Sequence, residues 1–184
     1  MGLTYRMKIT VAKKQEFLSE YELEVFKLVN EGKTAQEIAE EINNQENFRY
    51  QKKKDGTETE VIRKPENIRK TKVVVRNKIE KELERIAATN RLDLDLANMP
   101  KDAGLMIAFD WVHNTKVYLF FTSAEGIIAW WEHECSDRCE PRCKNTLGLI
   151  LKERKIELPS ELKNESILEK FRYVVSVIQE IGEK

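Results

Sequence analysis

Leu18-Ser-Glu-Tyr-Glu-Leu-Glu-Val-Phe-Lys-Leu-Val-Asn-Glu-Gly32-Lys-Thr-Ala-Gln-Glu-Ile-Ala-Glu-Glu-Ile42 carries apolar residues at helical spacing on both sides of one glycine. Leu18, Leu23, Val25, Phe26, Leu28 and Val29 precede Gly32, and Ala35, Ile38, Ala39 and Ile42 follow it. Each half opens on a hydroxyl residue with a glutamate three positions on, Ser19 with Glu22 and Thr34 with Glu37. That spacing predicts capping boxes, in which hydroxyl and carboxylate take up backbone N–H groups orphaned at a helix start. Gly32 stands where a left-handed C-cap closes the first helix. The stretch therefore predicts helix, glycine turn, helix. Helical hairpins are also ordinary packing units, so periodicity alone assigns no function.

The residue types add to this. The pattern Leu-Ser-x-x-Glu-x-Glu-Val-x-x-Leu-x-x-x-Gly-x-Thr-x-x-Glu-Ile-Ala-x-x-Ile resembles the helix-turn-helix of the LuxR and sigma-factor region 4 superfamily. There, two such helices support a third that reads DNA. Val74-Val-Arg-Asn-Lys-Ile79-Glu-Lys-Glu-Leu83-Glu-Arg-Ile86 is similar to that recognition helix, with Val75, Ile79, Leu83 and Ile86 as its packed stripe. The family joins these parts with a few residues, whereas here about 28 intervene. The resemblance covers roughly a fifth of the chain. It implies double-stranded DNA as partner.

A length of 184 residues accommodates two small domains, expected at 1–90 and 91–184. Net charge is zero, from 32 basic and 32 acidic residues, so only local asymmetry can favour a polyanion. Gln15 to Glu46 holds nine acidic and two basic residues, and Arg49 to Lys78 holds eleven basic and four acidic. No apolar run is long enough to cross a bilayer, and the expectation is a cytoplasmic protein without a membrane partner. Tyr5-Arg-Met-Lys-Ile-Thr-Val11 alternates as a short strand does.

Lys54-Asp-Gly-Thr57 is a hairpin-turn signal, and Phe48, Tyr50, Val61 and Ile62 flank it. An inserted basic β-hairpin is expected, with Lys52, Lys53 and Lys54 at its tip suited to phosphate. Pro65 favours a first helical turn, and the helix after it carries Arg69, Lys70, Lys72, Arg76, Asn77 and Lys78. Arginine pairs with guanine, asparagine with adenine, and lysine with phosphate, so these six are the candidate DNA contacts. Asn90 can end that helix, and Leu92, Leu94 and Leu96 alternate as an edge strand would before Pro100.

Leu105 to Val112, Val117 to Thr122 and Gly126 to His133 are apolar, β-branched and aromatic, parted by His113-Asn-Thr-Lys and Ser123-Ala-Glu-Gly. They predict an antiparallel meander. Leu147 to Leu158 fits helix or strand, and Ile167 to Ile181 fits an amphipathic helix opened by Ser166 and Glu169. The fold class expected is α+β: a helix-turn-helix domain with an inserted hairpin, then a small antiparallel sheet with a covering helix and a metal site.

That site is His133-Glu-Cys135-Ser-Asp-Arg-Cys139-Glu-Pro-Arg-Cys143. Three cysteines within nine residues are odd in number, which argues against a disulfide framework and for a metal or redox site. With His133 they make the Cys3His set of closed tetrahedral zinc sites. An iron–sulfur cluster, a metal-free thiol switch aided by Arg138 and Arg142, and a catalytic zinc use the same residues. Glu134 and Glu140 stand beside the cluster, while His113 falls in a turn and is expected at the surface. Taken together, the sequence points to a DNA-binding transcription regulator and homodimer, not an enzyme, with zinc in its C-terminal domain. A metal-dependent enzyme or RNA-processing factor built on that domain is the alternative.

Overall fold

Capping decides where the first elements begin. In the computed structural model, which describes residues 17–52, 56–95 and 104–182, α1 spans Glu20–Asn30 and α2 spans Ala35–Asn44. Both open on full capping boxes: Ser19 Oγ accepts the Glu22 N–H and Thr34 Oγ1 accepts that of Glu37. The Glu22 and Glu37 carboxylates return to the Ser19 and Thr34 N–H groups at 2.8 and 2.7 Å. Gly32, at φ +78°, closes α1 with paired bonds from Gly32 N–H to Val29 O and Lys33 N–H to Leu28 O. That pairing needs a left-handed residue, which glycine supplies without Cβ strain.

A single-turn helix α3 (Glu46–Arg49) leads into β1 (Tyr50–Lys52), which pairs antiparallel with β2 (Glu58–Glu60). Lys53 and Lys54 lie outside the described residues, as does the segment Tyr5 to Val11. The Asn43 side chain clasps the Arg63 backbone twice, donating to its carbonyl at 3.0 Å and accepting its N–H at 2.7 Å. The Arg63 guanidinium lies 4.6 Å from the Tyr21 ring centre. The far end of the inserted piece is thereby tied to the first two helices.

α4 (Pro65–Thr89) follows, and Ile68 in its first turn is fully buried with Val25, Leu28, Ile38, Ala39 and Ile42. Further along, the Lys78 ammonium meets both Glu22 carboxylate oxygens at 2.7 and 2.8 Å. Thus α1, α2 and the N-terminal half of α4 share one small core despite the intervening residues. The chain divides into two compact units between Lys78 and Ile79, inside α4, whereas the sequence placed a boundary at residue 90, near the helix end.

The second unit is built on β3 (Asp93–Leu94), β4 (Leu105–Asp110), β5 (Thr115–Thr122) and β6 (Gly126–Trp131), an antiparallel meander in chain order. Leu96 and Pro100 lie outside the described residues. Leu105, Ile107, Tyr118, Phe120 and Trp130 form one sheet face and join the core made with α5 (Glu140–Arg154) and α6 (Ile167–Gly182). Residues of the opposite face, Met106, Ala108, Val117, Leu119, Phe121, Ile127 and Ala129, are equally buried. A sheet buried on both sides needs continuous apolar strands, which is why these three runs do not alternate. Trp130 stacks on Phe171 of α6 at 3.9 Å between ring centres, 10° from parallel. The Leu147 to Leu158 stretch resolves into the second half of α5 followed by an irregular segment. Glu153 anchors the end of α5 by accepting the Ser123 N–H at 2.8 Å.

Asp110 is a buried carboxylate at the β4–β5 turn. It accepts the His113 Nδ1–H at 2.7 Å, the Trp131 Nε1–H at 2.9 Å and the Val112 and His113 backbone N–H groups. Burial alone would raise its pKa, but these donors outweigh burial and hold it below the ordinary value. A depressed folded-state pKa contributes stability that is present above the ordinary carboxylate value and is lost as pH falls through the depressed one. Asp110→Asn is therefore expected to lower the melting temperature near neutrality and to flatten its fall below about pH 4. Thermal melts across that range check this.

Candidate metal centre

The centre lies where β6 gives way to α5. Glu132 fixes the chain just before the first ligand: its N–H donates to Lys116 O at 2.8 Å and its carbonyl accepts the Thr115 hydroxyl at 2.7 Å. Its carboxylate accepts Tyr118 OH at 3.1 Å and Arg172 Nε of α6 at 2.7 Å. Residues 132–136 are irregular, a turn follows, and Cys139 is the N-cap of α5. Pro141 sits in the first turn, where a missing N–H leaves no bond unmade. Cys143 is one helical turn beyond Cys139, its N–H bonded to Cys139 O at 3.0 Å.

This path brings all four predicted ligands together. Their donor atoms lie within 4.8 Å of one another. His133 Nε2 faces Cys135 Sγ at 3.8 Å, Cys139 Sγ at 3.4 Å and Cys143 Sγ at 3.7 Å. For a tetrahedral ion with metal–sulfur and metal–nitrogen bonds of about 2.3 and 2.0 Å, the sulfur–nitrogen edge is about 3.5 Å. The four residues fit that figure and can hold a metal ion. His133 Nδ1–H donates to Trp131 O at 2.5 Å, which sets the tautomer leaving Nε2 as the ligand atom. The Ser136 N–H donates to Cys139 Sγ at 3.3 Å, a bond that offsets thiolate charge.

Without an ion, the same atoms compete for protons. The Cys143 thiol beside His133 raises the imidazole pKa to about 9, against burial and with help from Trp131 O and Cys139. Burial pushes Cys139 up, yet the Ser136 and His133 donors bring it down to about 7. Burial and the neighbouring thiols push Cys135 up. A cation entering here displaces thiol protons, so its binding strengthens as pH rises. Cys143 is buried at 1% exposure, and the other three ligands are half-buried. Glu134 is exposed, Glu140 pairs with Lys144 at 2.6 Å, and His113 is held by Asp110 away from the cluster.

The candidate DNA contacts are placed differently from one another. Arg69, Lys70, Lys72 and Asn77 are exposed on the first half of α4, with Lys70 in a surface pair with Glu66 at 3.0 Å. Arg76 is half-buried, with its Nε atom inside the protein. Lys78 is engaged by Glu22, which makes it a strut between α4 and α1. Lys52 ends β1. Val73 and Val74, 50% and 46% exposed, lie among the basic residues, outside the packed stripe expected from Val75, Ile79, Leu83 and Ile86. Two adjacent β-branched residues on a solvent-facing helix were the signal available, since they lower helix propensity without packing in return.

Comparison of the chain with family models, curated proteins and solved structures finds no match. The fold and the site define a mixed α/β chain with an antiparallel four-stranded sheet and a His/Cys cluster at the sheet–helix junction. No described helix is long and apolar enough to cross a membrane.

Proposed function

We propose that the protein is a sequence-specific DNA-binding regulator whose α1, α2 and α4 act as a helix-turn-helix, and whose C-terminal unit holds a structural zinc ion. The observation that carries this reading is Ile68, fully buried among Val25, Leu28, Ile38, Ala39 and Ile42. A recognition helix must sit on its two supporting helices; residues 65–78 of α4 are the part available for this, earlier in the chain than the expected Val74 to Ile86, of which Ile79, Leu83 and Ile86 fall in the other unit. The face of α4 turned to solvent then offers Arg69, Lys70, Lys72 and Asn77, the donors suited to base edges and phosphates. The β1–β2 ribbon supplies a further basic contact, and a homodimer reads two half-sites. Zinc is the ion proposed because three thiolates and one imidazole make up the Cys3His set of closed structural zinc sites. When bound, the ion neutralises thiolate charge and ties β6 to α5.

Arg69→Ala is expected to weaken specific binding about 10- to 100-fold with an unchanged far-UV spectrum, whereas Lys72→Ala reduces the salt slope by about one unit. Titration of a labelled duplex at two salt concentrations measures both. Equal affinities for wild type and both variants would remove α4 from the interface. Metal analysis with an absorption spectrum separates colourless zinc from a coloured iron–sulfur cluster.

A further inference from the structure

We propose that Cys135 and Cys139 form an oxidation site through which a peroxide empties the metal centre. This rests on the metal reading above and adds to it a regulatory input. The three cysteines are not equivalent. Cys143 lies within α5 and is buried, so its backbone is fixed by the helix and its sulfur is shielded. Cys135 lies in the irregular segment after β6, Cys139 caps the helix, and both are half-buried. Their sulfurs belong to a set that spans no more than 4.8 Å, and a disulfide requires about 2.0 Å. Rotation of two side chains, with movement of a non-helical segment, closes that gap. Pairing Cys139 with Cys143 would have to be made along one turn of helix.

As ligands, both sulfurs are thiolates. The Cys139 thiolate attacks one oxygen of the peroxide, the O–O bond breaks, and the departing alkoxide takes a proton from water to leave as an alcohol, or as water from hydrogen peroxide. Cys139 is now a sulfenic acid. The Cys135 thiolate attacks its sulfur, the S–S bond forms and hydroxide leaves. Two electrons pass from sulfur to peroxide oxygen, and zinc itself, which has no redox chemistry, is unchanged. His133 and Cys143 alone then face the ion. Two ligands do not hold it.

The sequence makes the pairing readable, because trypsin cuts after Arg138 and after Arg142 and so puts the three cysteines in three peptides. The experiment treats the full, zinc-loaded chain with hydrogen peroxide, follows release with a colorimetric zinc chelator, blocks remaining thiols and digests. The expected result is release of about one zinc per chain, with the Cys139-Glu-Pro-Arg142 peptide linked to the peptide holding Cys135. A thiol reductant reverses the link. Cys135→Ala, assayed in parallel, leaves a sulfenic acid on Cys139 that dimedone traps, which reports the first step without requiring metal retention by the variant. Zinc held with free thiols, or a Cys139–Cys143 link, overturns the proposal. A chain that carries no zinc even after incubation with the ion contradicts the metal reading itself, and the emptying of the centre falls with it.

Discussion

On the proposed zinc reading, Cys143→Ser is expected to lose zinc through purification and to bind added zinc more than about 100-fold more weakly than wild type. Loss of an outer partner alone costs roughly 10- to 100-fold, and on that reading Cys143 is an inner one. It is also the buried sulfur of the set, so no water substitutes for it. The unit should not unfold with it. All four ligands fall between His133 and Cys143, so the ion closes only a short stretch of chain, while the core of Leu105, Phe120, Trp130, Ile150, Phe171 and Val174 is assembled without it. Linkage sets the scale: an ion at about 1,000 times its dissociation constant stabilises by about 4 kcal/mol. Chelator should therefore lower the melting temperature of wild type and leave Cys143→Ser where it stands. A variant that melts with wild type, and responds to chelator as wild type does, would show that Cys143 is not a ligand.

Phe171→Ala should have the largest effect on folding. The ring is fully buried and lies face to face with Trp130, which in turn stacks against Tyr118 at 5.8 Å. Truncation leaves a cavity between α6 and the sheet and is expected to cost about 3–5 kcal/mol. For a unit of this size that is on the order of 12–40 °C in melting temperature. Denaturant titration with tryptophan fluorescence measures it, since Trp130 reports the site directly. A loss below about 1 kcal/mol would mean that α6 does not cover this face of the sheet.

Local chemistry was readable in the sequence and long-range pairing was not. Ser19 with Glu22, Thr34 with Glu37 and the left-handed Gly32 act within one turn of chain, so spacing was enough to place α1 and α2. The sheet was readable because burial on both faces writes each strand as an unbroken apolar run. The ligands were readable because one turn, one N-cap and one helical turn gather them from a single segment. Leu147 to Leu158 remained ambiguous because Leu149, Ile150 and Leu151 form a continuous apolar run that also suits a strand. Lys78 looked like one more basic residue on an outward face; its partner Glu22 lies 56 positions away, and the pairing appears only when α4 meets α1. The Glu132–Arg172 bond that steadies the approach to His133 spans 40 positions and has no sequence signature.

On the function proposed above, the first half of α4, packed on α1 and α2 through Ile68, reads duplex DNA. Selection from a random duplex pool by the full chain tests it most directly. Enrichment of a defined motif, arranged as two half-sites and lost with Arg69→Ala, is the predicted result. A pool that stays random after repeated rounds at low salt would contradict the claim.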